Sequence, residues 1–308
     1  MEFIKMHAAG NDYIYVDGDE NEAVDFSAAA RKLGDRRFGV GSDGLIAVFK
    51  DESGAADFFM RIFNADGSEG ATCGNGLRCS AAFARIIGKT TKSEIKIRTL
   101  SAVHNVVLEE YAGEIIASAD FPLPKFASVH ELAEKKLCEI LGLSDENDEG
   151  NENEISSLSK TNGKSAEKTV CVVNNGNLHA VFFGAAAGAE TLATKIIQAG
   201  IFKDGINVES ATADESSVCC DVYERGSGIT YSCGSGAVAT AFAAREKLGL
   251  DWSVYPISMR GGTLFVKFDD KKAYLSGAVT PIYKGEIFED YYRNAFDEPN
   301  AFNEGAKK

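Results

Sequence analysis

Two cysteine–glycine turns, one in each half of the chain, constrain its fold more than any other feature. Cys73 begins Cys-Gly-Asn-Gly and Cys233 begins Cys-Gly-Ser-Gly, and each turn opens a segment rich in alanine. Alanine recurs eight and eleven positions after each cysteine, and arginine recurs at the twelfth, as Arg85 and Arg245. A repeat of nearly half the chain is longer than the period of about 20 to 50 residues found in solenoids. The spacing therefore predicts two homologous domains.

The segments around these turns predict a fold dominated by strands. Short runs of β-branched and aromatic residues, separated by Gly, Asn, Asp or Ser, occur throughout both halves. Helical spacing is confined to a few segments, among them the alanine-rich ones at 77–87 and 237–248. Because side chains there are small nearly all round, we expect each of these helices to be enclosed by sheet. The predicted fold class is α+β, with two pseudo-symmetric domains that each wrap curved, mostly antiparallel strands around a central helix.

The composition excludes several classes of partner. The formal net charge is −14, which disfavours nucleic acid and anionic membranes because both require a basic surface. No apolar run approaches the roughly 20 residues that span a bilayer, and the start of the chain has no signal-peptide pattern. Seven cysteines, an odd number without extracellular context, argue against a disulfide framework. We therefore expect a cytoplasmic protein that acts on a small molecule, with no nucleic acid or membrane as partner.

One segment differs from the rest of the chain. Residues 144–168 are polar, acidic and without periodicity. Such a composition cannot bury enough apolar surface to order itself. We interpret it as a solvated insertion, with a regulatory or partner-binding role as the alternative.

The cysteine turns suggest acid–base chemistry. A cysteine titrates near about pH 8.5, but this value falls at a helix N-terminus, where unpaired N–H groups and the helix dipole stabilise a thiolate. A helix N-terminus also binds carboxylate. Two such termini could hold the carboxylate of an amino acid and place its α-carbon between Cys73 and Cys233. One thiolate would remove the α-proton and the opposite thiol would protonate the other face, which inverts the centre without a cofactor.

Other interpretations of the cysteines stay open at this point. Most cysteines are small buried hydrophobes, and we assign that role to those inside helix or strand patterns, namely Cys79, Cys138, Cys171, Cys219 and Cys220. A zinc site is disfavoured because no Cys-x-x-Cys pair and no histidine cluster occurs. A reversible disulfide between Cys73 and Cys233 is a further alternative, and it would inactivate the site.

Two polar positions in the second half are further candidates. His179 lies two residues after Asn177 and begins an apolar run, where it could support acid–base chemistry or anchor a substrate. Glu224 and Arg225 end a predicted strand before a glycine bend. They form either a surface ion pair, which is worth little, or a carboxylate and guanidinium that face the charged ends of a substrate. The remaining histidines are interpreted as structural, namely His7, His104 and His130.

Seven ordered motifs resemble the diaminopimelate epimerase family. They are KMHAAGNDYIYVD, RRFGVGSDGL, RIFNADGSEGATCGNGLRC, GNLHAVFF, GINVE, YERGSGITYSCGSGA and GGTLFV. The resemblance covers nearly the whole chain except the acidic insertion and the C-terminal tail. It implies a cofactor-independent epimerase of lysine and peptidoglycan precursor biosynthesis, which interconverts LL-2,6-diaminoheptanedioate and its meso form. It also implies a homodimer.

The resemblance implies roles for individual residues. Cys73 and Cys233 would form the acid–base pair, with His179 and Glu224 assisting catalysis. The residues implied to contact substrate are Asn11, Asn64, Gly74, Asn75, Asn177, Asn207, Glu224, Arg225, Gly234 and Ser235. No metal is implied.

The family also implies the domain organisation, in which the last strands return to the first domain. The expected domains are 1–120 with 279–308, and 121–278 with the insertion 144–168. The chain departs from the family pattern at several positions: HAAGND replaces HGLGND, Leu178 replaces a common proline, and Ser235 replaces a threonine. Gly44 lies where some members carry a glutamine that binds substrate. These departures affect the geometry of substrate binding and leave both thiols in place.

Two rival functions remain. A proline racemase or hydroxyproline epimerase would share the two-thiol mechanism, although a substrate with one charged end would not require Glu224 and Arg225 as well as the asparagines. The second rival is a non-catalytic amino-acid-binding or redox-sensing protein with the same fold, which the intact cysteine pair disfavours. Turnover of diaminopimelate and proline isomers separates these functions.

Overall fold

The computed structural model describes residues 1–142 and 168–293. In chain order the strands are β1 (Glu2–Ala8), β2 (Asn11–Asp17), β3 (Gly44–Lys50), β4 (Phe58–Asn64), β5 (Glu69–Gly70), β6 (Glu94–Arg98), β7 (Val103–Tyr111), β8 (Glu114–Pro122), β9 (Lys125–Phe126), β10 (Thr169–Asn174), β11 (Leu178–Phe183), β12 (Asn207–Ala213), β13 (Val218–Glu224), β14 (Gly228–Ile229), β15 (Tyr255–Met259), β16 (Gly262–Phe268) and β17 (Lys272–Glu286). The helices are α1 (Phe26–Gly34), α2 (Gly74–Ile86), α3 (Glu131–Leu141), α4 (Ala189–Gln198), α5 (Gly234–Leu248) and α6 (Glu289–Arg293), with a 3-10 turn at Asp19–Asn21.

The chain divides into two compact units. Among the described residues, unit 1 contains Met1–Phe121, Gly261–Phe265 and the chain from Lys272, and unit 2 contains Pro122–Arg260 and Val266–Lys271. The sequence analysis placed the return to the first domain at residue 279. The structure places 272–278 in unit 1 as well, because β17 pairs with β8 there and the Ser276 and Ser118 hydroxyls lie 2.8 Å apart.

Unit 1 is built around the first cysteine-led helix. Antiparallel pairing joins β1 to β2 and to β17, β2 runs parallel to β3, and β3 is antiparallel to β4. A meander of β6, β7 and β8 continues the strands. Helix α2 is buried from Asn75 to Ala84, and its alanines pack against Tyr15, Ile46 and Leu108 among other core residues. The alanines are required because larger side chains would not fit between the helix and the strands that surround it.

Unit 2 repeats the same order of elements. Strand β10 is antiparallel to β11, β11 is parallel to β12, and β12 is antiparallel to β13. Helix α5 follows, and it is buried from Gly236 to Ala244. The registers correspond, since Tyr13 lies opposite Gly44 in the parallel pair of unit 1 and His179 lies opposite Asn207 in that of unit 2. The predicted α+β fold, with mostly antiparallel strands around a central helix in each half, is confirmed.

Both cysteine-led helices begin earlier than the sequence predicted. Helical spacing suggested starts at residues 77 and 237, whereas the helices begin at Gly74 and Gly234. The first turn of each contains two glycines, which are poor helix formers and carry no side chain to show periodicity. The expected insertion at 144–168 lies outside the described residues except for Lys168, as do residues 294–308 of the tail. Within the described ranges, no helix is both long enough and apolar enough to cross a membrane.

Candidate active site

Cys73 caps the first central helix. Its backbone is extended, with φ −145° and ψ 120°, and its Sγ accepts a hydrogen bond from the Gly76 N–H at 3.4 Å. Sulfur at this position therefore takes the place of the oxygen that usually caps a helix. Because the bond runs from a donor to sulfur, it favours the thiolate over the thiol. The turn positions Cys73 as the sequence predicted.

Asn11 lies beside the first thiol. The Cys73 Sγ is 3.6 Å from Asn11 Oδ1, and Asn11 Nδ2 donates to Asp43 Oδ2 at 2.8 Å. Asp43 also accepts from the Asp12 N–H and pairs with Arg36. Burial followed by the charge of Asp12 raises the pKa of Asp43. Asp43 thus fixes the Asn11 amide so that its oxygen faces the thiol, a role that the sequence analysis did not assign.

The other predicted residues of unit 1 lie at the ends of neighbouring elements. Asn75 is buried in the first turn of α2, next to Gly74. Asn64 is exposed at the end of β4, and its Nδ2 donates to Ser68 Oγ at 2.9 Å. Gly44 lies opposite Asn64 in the register, and a Cβ at Gly44 would come within 2.1 Å of the Phe63 carbonyl oxygen. No side chain fits at position 44 here, so the glutamine contact of some family members has no counterpart at this residue.

Cys233 caps the second central helix in the same way. Its backbone has φ −127° and ψ 117°, and its Sγ accepts from the Gly236 N–H at 3.4 Å. The Ser235 hydroxyl lies 3.4 Å from the same sulfur, and Asn175 Nδ2 donates to the Ser235 carbonyl oxygen. The hydroxyl is the group that a threonine would also supply, so the departure at Ser235 retains this contact.

Glu224 lies next to the second thiol. Its carboxylate accepts from Thr230 Oγ1 at 2.6 Å and lies within hydrogen-bonding reach of Cys233. Burial raises the pKa of Glu224. Burial likewise raises the pKa of Cys233 well above its ordinary value, and the negative charges of Glu224 and Glu209 add to this effect. The second thiol therefore lies in an environment that favours its protonated form.

His179 and Glu209 form a buried pair that the sequence analysis did not anticipate. Both side chains are 0% exposed, and His179 Nδ1 is 2.6 Å from Glu209 Oε1. The other ring nitrogen, Nε2, is 2.9 Å from Asn177 Oδ1. A carboxylate at Nδ1 fixes that nitrogen as a hydrogen-bond donor and fixes the orientation of the ring. The pair in turn orients Asn177, which is exposed and directly precedes β11.

Asn207 and Arg225 connect the strand ends of unit 2. Asn207 Nδ2 donates to the Leu178 carbonyl oxygen at 3.1 Å, and its Oδ1 accepts from the Arg225 N–H at 2.9 Å. The Arg225 side chain is exposed and donates to the Asp204 carbonyl oxygen. Asn207 therefore holds the ends of β11 and β13 together, and the predicted contact of Asn207 and Arg225 with substrate stays a prediction.

The remaining cysteines divide into buried and exposed thiols. Cys79, Cys171 and Cys220 are buried, as predicted, and burial raises the pKa of Cys79 and of Cys171 to about 12. Cys138 is partly buried, whereas Cys219 is exposed. The prediction that Cys219 is buried was wrong, because it lies on the outward-facing side of β13 while Cys220 faces inward.

Three residues of the two sites were missed from the sequence: Asp43, Arg78 and Glu209. Arg78 carries a signal that could have found it, because it is a charged residue inside an alanine-rich helix. Glu209 carries no such signal, because its strand NVESATA mixes polar and apolar residues. Charged residues at buried positions are rare and need a partner or a function.

A family model described as diaminopimelate epimerase matches residues 3–117 and 168–282. The diaminopimelate epimerase of Halothermothrix orenii is 34% identical over 292 residues, which cover 93% of this chain and 98% of the relative. The diaminopimelate epimerase of Caldanaerobacter subterraneus subsp. tengcongensis is also 34% identical, over 93% of this chain and 99% of the relative.

Solved structures share the fold. A PhzF-family phenazine biosynthesis protein of Bacillus anthracis has a TM-score of 0.63 at 16% identity, covering 94% of this chain and 99% of that chain. A probable proline racemase of Agrobacterium radiobacter K84, solved with bound carbonate, has a TM-score of 0.61 at 12% identity, covering 96% and 95%. At these identities the likeness shows the fold alone.

Proposed function

The chain belongs to the diaminopimelate epimerase family, and on that premise we propose that it interconverts LL-2,6-diaminoheptanedioate and the meso form through Cys73 and Cys233. The observation that carries the proposal is the shared geometry of the two cysteines. Each caps a buried helix, and each sulfur accepts a glycine N–H at 3.4 Å. The arrangement provides two thiols whose protonation is adjusted by their surroundings, as acid–base catalysis requires.

The reaction balances without a cofactor. A thiolate takes the α-proton of the substrate, and the carbanion that results is stabilised by its carboxylate. The second thiol delivers its own proton to the opposite face of the same carbon. One thiol and one thiolate are present before and after the reaction, with their identities exchanged.

The side chains around the thiols would bind the substrate. Backbone N–H groups at Gly74, Asn75, Gly234 and Ser235 begin helices, where a carboxylate is stabilised. We assign the carboxylate of the reacting end to these groups. The asparagines and the Glu224–Arg225 pair would bind the charged groups of the substrate, including its distal amino-acid end, which a proline racemase substrate lacks.

Exchange of solvent deuterium tests the two-thiol mechanism. The wild-type protein in D₂O should convert LL-diaminopimelate to the meso form and incorporate one deuterium at the α-carbon, as measured by mass spectrometry and chiral chromatography. Cys73→Ala and Cys233→Ala should each lose turnover by a factor of at least about 10², the lower range for a general acid or base. Cys219→Ala, which removes an exposed thiol, is the matched control and should retain full activity. Wild-type turnover by either catalytic variant would exclude the mechanism.

The substrate itself is tested by comparison with proline. We expect turnover of diaminopimelate isomers and none of proline or hydroxyproline isomers. Turnover of proline but not of diaminopimelate would instead support the racemase function. Absence of turnover with all of these substrates would support the non-catalytic binding protein.

We further propose that the protein is cytoplasmic, because the family acts in lysine and peptidoglycan precursor biosynthesis, and that it forms a homodimer, as the resemblance to the family implies. Light scattering of the purified chain should give about twice the monomer mass of 32.9 kDa. A mass of one chain at micromolar concentration would contradict the dimer. Cell fractionation should place the protein with cytoplasmic markers.

A further inference from the structure

Arg78 is a buried cation with no carboxylate partner among the described residues. Its side chain is 0% exposed, and it takes part in no ion pair with the described carboxylates. Burying a charge without a partner has a large free-energy cost. An arginine cannot avoid this cost by losing its proton, because its guanidinium stays charged in proteins. The structure must therefore compensate Arg78 in another way.

The guanidinium is aimed at the first turn of its own helix. Nη2 donates to Asn75 Oδ1 at 2.5 Å and Nε lies 3.3 Å from the Gly74 carbonyl oxygen. Nη1 is buried and donates to no protein atom among the described residues. These contacts place the charge directly behind the two residues that follow Cys73.

Strand β17 provides the space for this side chain. A Cβ at Gly277 would lie 2.7 Å from Arg78 Nη1 and 2.9 Å from Leu264 Cδ2. A side chain at position 277 would therefore displace the guanidinium. The backbone of unit 1 is shaped so that the cation remains beside the cysteine-capped turn.

Groups that could become negative near Arg78 are few. The guanidinium interacts electrostatically with Cys73, Cys79 and Tyr15. Burial raises the pKa of Cys79 to about 12 and raises the pKa of Tyr15 well above its ordinary value. Tyr13 on β2 and Asp43 before β3 are the other titratable groups on this side, and Asp43 acts on the site through Asn11. Cys73 differs from Cys79 and Tyr15 because it is only partly buried and its Sγ already accepts an N–H, which favours the thiolate.

In the second half of the repeat, the charge buried beside the cysteine is negative, whereas in the first half it is positive. The position five residues after the cysteine is Arg78 in α2 and Val238 in α5. The third residue after each cysteine is a glycine, Gly76 or Gly236, and each glycine faces one strand residue. That residue is Ile46 in unit 1 and Glu209 in unit 2, as the nearest atoms to a Cβ placed on each glycine show. A buried cation thus accompanies Cys73, whereas buried carboxylates of Glu209 and Glu224, with His179, accompany Cys233.

We propose that Arg78 is a positioning residue of the first thiol, which holds the Asn75 amide and stabilises the Cys73 thiolate with its buried charge, so that Cys73 rather than Cys233 is the thiolate of the resting protein. This inference rests on the proposed function for its meaning in catalysis. The two helix caps have the same backbone geometry and differ in the charges buried beside them, since Arg78 has a neutral counterpart in Val238 and Glu209 has one in Ile46. In the resting protein Cys73 is then the base and Cys233 the acid.

The pH dependence of alkylation tests the inference without any turnover. The full-length protein is treated with iodoacetamide from pH 5 to 10, and modification of each cysteine is followed by peptide mass spectrometry. In the wild type the midpoint for Cys73 should lie below about 8.5, the ordinary value for a thiol, and below that of Cys233. The Cys233→Ala background gives a midpoint that belongs to Cys73 alone. A Cys73 midpoint at or above that of Cys233 would overturn the inference, even if no Arg78 variant folds.

Variants of Arg78 identify the source of the shift. Arg78→Met should raise the Cys73 midpoint by about one pH unit or more, which lowers its alkylation rate at pH 7 about tenfold. Arg78→Lys retains the charge and should restore most of the shift. Arg85→Met removes a charge from the same helix, where Arg85 pairs with Glu110, and should leave the midpoint unchanged. A folded Arg78→Met variant with the wild-type Cys73 midpoint would overturn the role of Arg78. If the wild-type protein incorporates no deuterium into diaminopimelate, only the proposed function is overturned.

Discussion

The His179 imidazole lies between the Glu209 carboxylate and the Asn177 amide oxygen. Glu209 determines that the ring nitrogen Nδ1 is a hydrogen-bond donor. The carboxylate accepts from Nδ1 at 2.6 Å, and Glu209 Oε2 is buried without a hydrogen-bond partner among the described residues. A buried carboxylate that forms so few hydrogen bonds is costly unless a cation lies nearby. Glu209 therefore favours a His179 that donates from Nδ1, and His179 holds Asn177 in turn.

Glu209→Gln should impair catalysis with little change in fold. The amide has nearly the same shape but no charge, so the imidazole loses its anionic partner and the negative charge that acts on Cys233 decreases. We expect kcat to fall about 10- to 100-fold, by analogy with the loss of carboxylate partners of metal-binding histidines, and the alkylation midpoint of Cys233 to move to lower pH. Steady-state kinetics and peptide alkylation measure the two effects.

The matched control for this variant is Glu246→Gln, which removes a carboxylate that pairs at the surface with Arg245. It should leave both quantities unchanged. A Glu209→Gln protein with the wild-type kcat and the wild-type Cys233 midpoint would contradict the assigned role.

A two-residue hairpin turn presents Asn11 to the first thiol. In the pairing of β1 with β2, Ala8 lies opposite Asn11, and the loop residues Ala9 and Gly10 have φ of 49° and 80°. Positive φ at both loop residues defines a type I′ turn, in which Asn-Gly is the preferred pair. Alanine in this left-handed conformation costs about 1–2 kcal/mol. Ala9 therefore carries backbone strain at the turn that precedes Asn11.

Ala9→Asn should stabilise the protein by about 0.5–1 kcal/mol, because asparagine tolerates the left-handed conformation better than alanine does. Chemical denaturation measures the effect. The hairpin between β7 and β8 is a matched control, since Ala112 and Gly113 have φ of 52° and 83° and form the same two-residue loop. Ala112→Asn should stabilise equally. A loss of stability in both variants would show that alanine is not strained at these turns.

Buried thiols in both units make the stability of the whole molecule sensitive to alkaline pH. Burial raises the pKa of Cys79 in unit 1 and of Cys171 in unit 2 from 9.0 to about 12. Between these values the unfolded chain loses the thiol protons while the folded chain retains them. The stability contribution is complete below about pH 9 and is lost as the pH rises towards 12, by about 1.4 kcal/mol per pH unit for each thiol.

Cys79→Ala should flatten this dependence. Denaturation at pH 8.5, 9.5 and 10.5 should show that the slope of unfolding free energy against pH decreases by about 1.4 kcal/mol per unit relative to wild type. Cys219→Ala removes an exposed thiol instead and serves as the control. Equal slopes for Cys79→Ala and wild type would mean that the Cys79 thiol ionises in the folded protein as it does in the unfolded chain.

The sequence by itself determined those features of the protein that depend on neighbouring residues. The two cysteine turns, the alanine-rich helices and the alternating strands predicted the fold class and the place of both thiols at the start of a helix, because capping and periodicity are local properties of the chain. The family was predicted from the resemblance of seven ordered motifs. The start of each helix was displaced by three residues, since glycine conceals the first turn.

Only the tertiary structure decided which charges are buried beside each thiol. Glu209 lies 30 residues from His179, and Gly277, which makes room for Arg78, lies about two hundred residues from it. The return of residues 272–278 to unit 1 depends in the same way on pairing with β8. Burial and electrostatic potential are sums over residues that are distant in the chain. The local pattern therefore shows two similar cysteine turns, whereas folding buries a cation beside Cys73 and carboxylates beside Cys233.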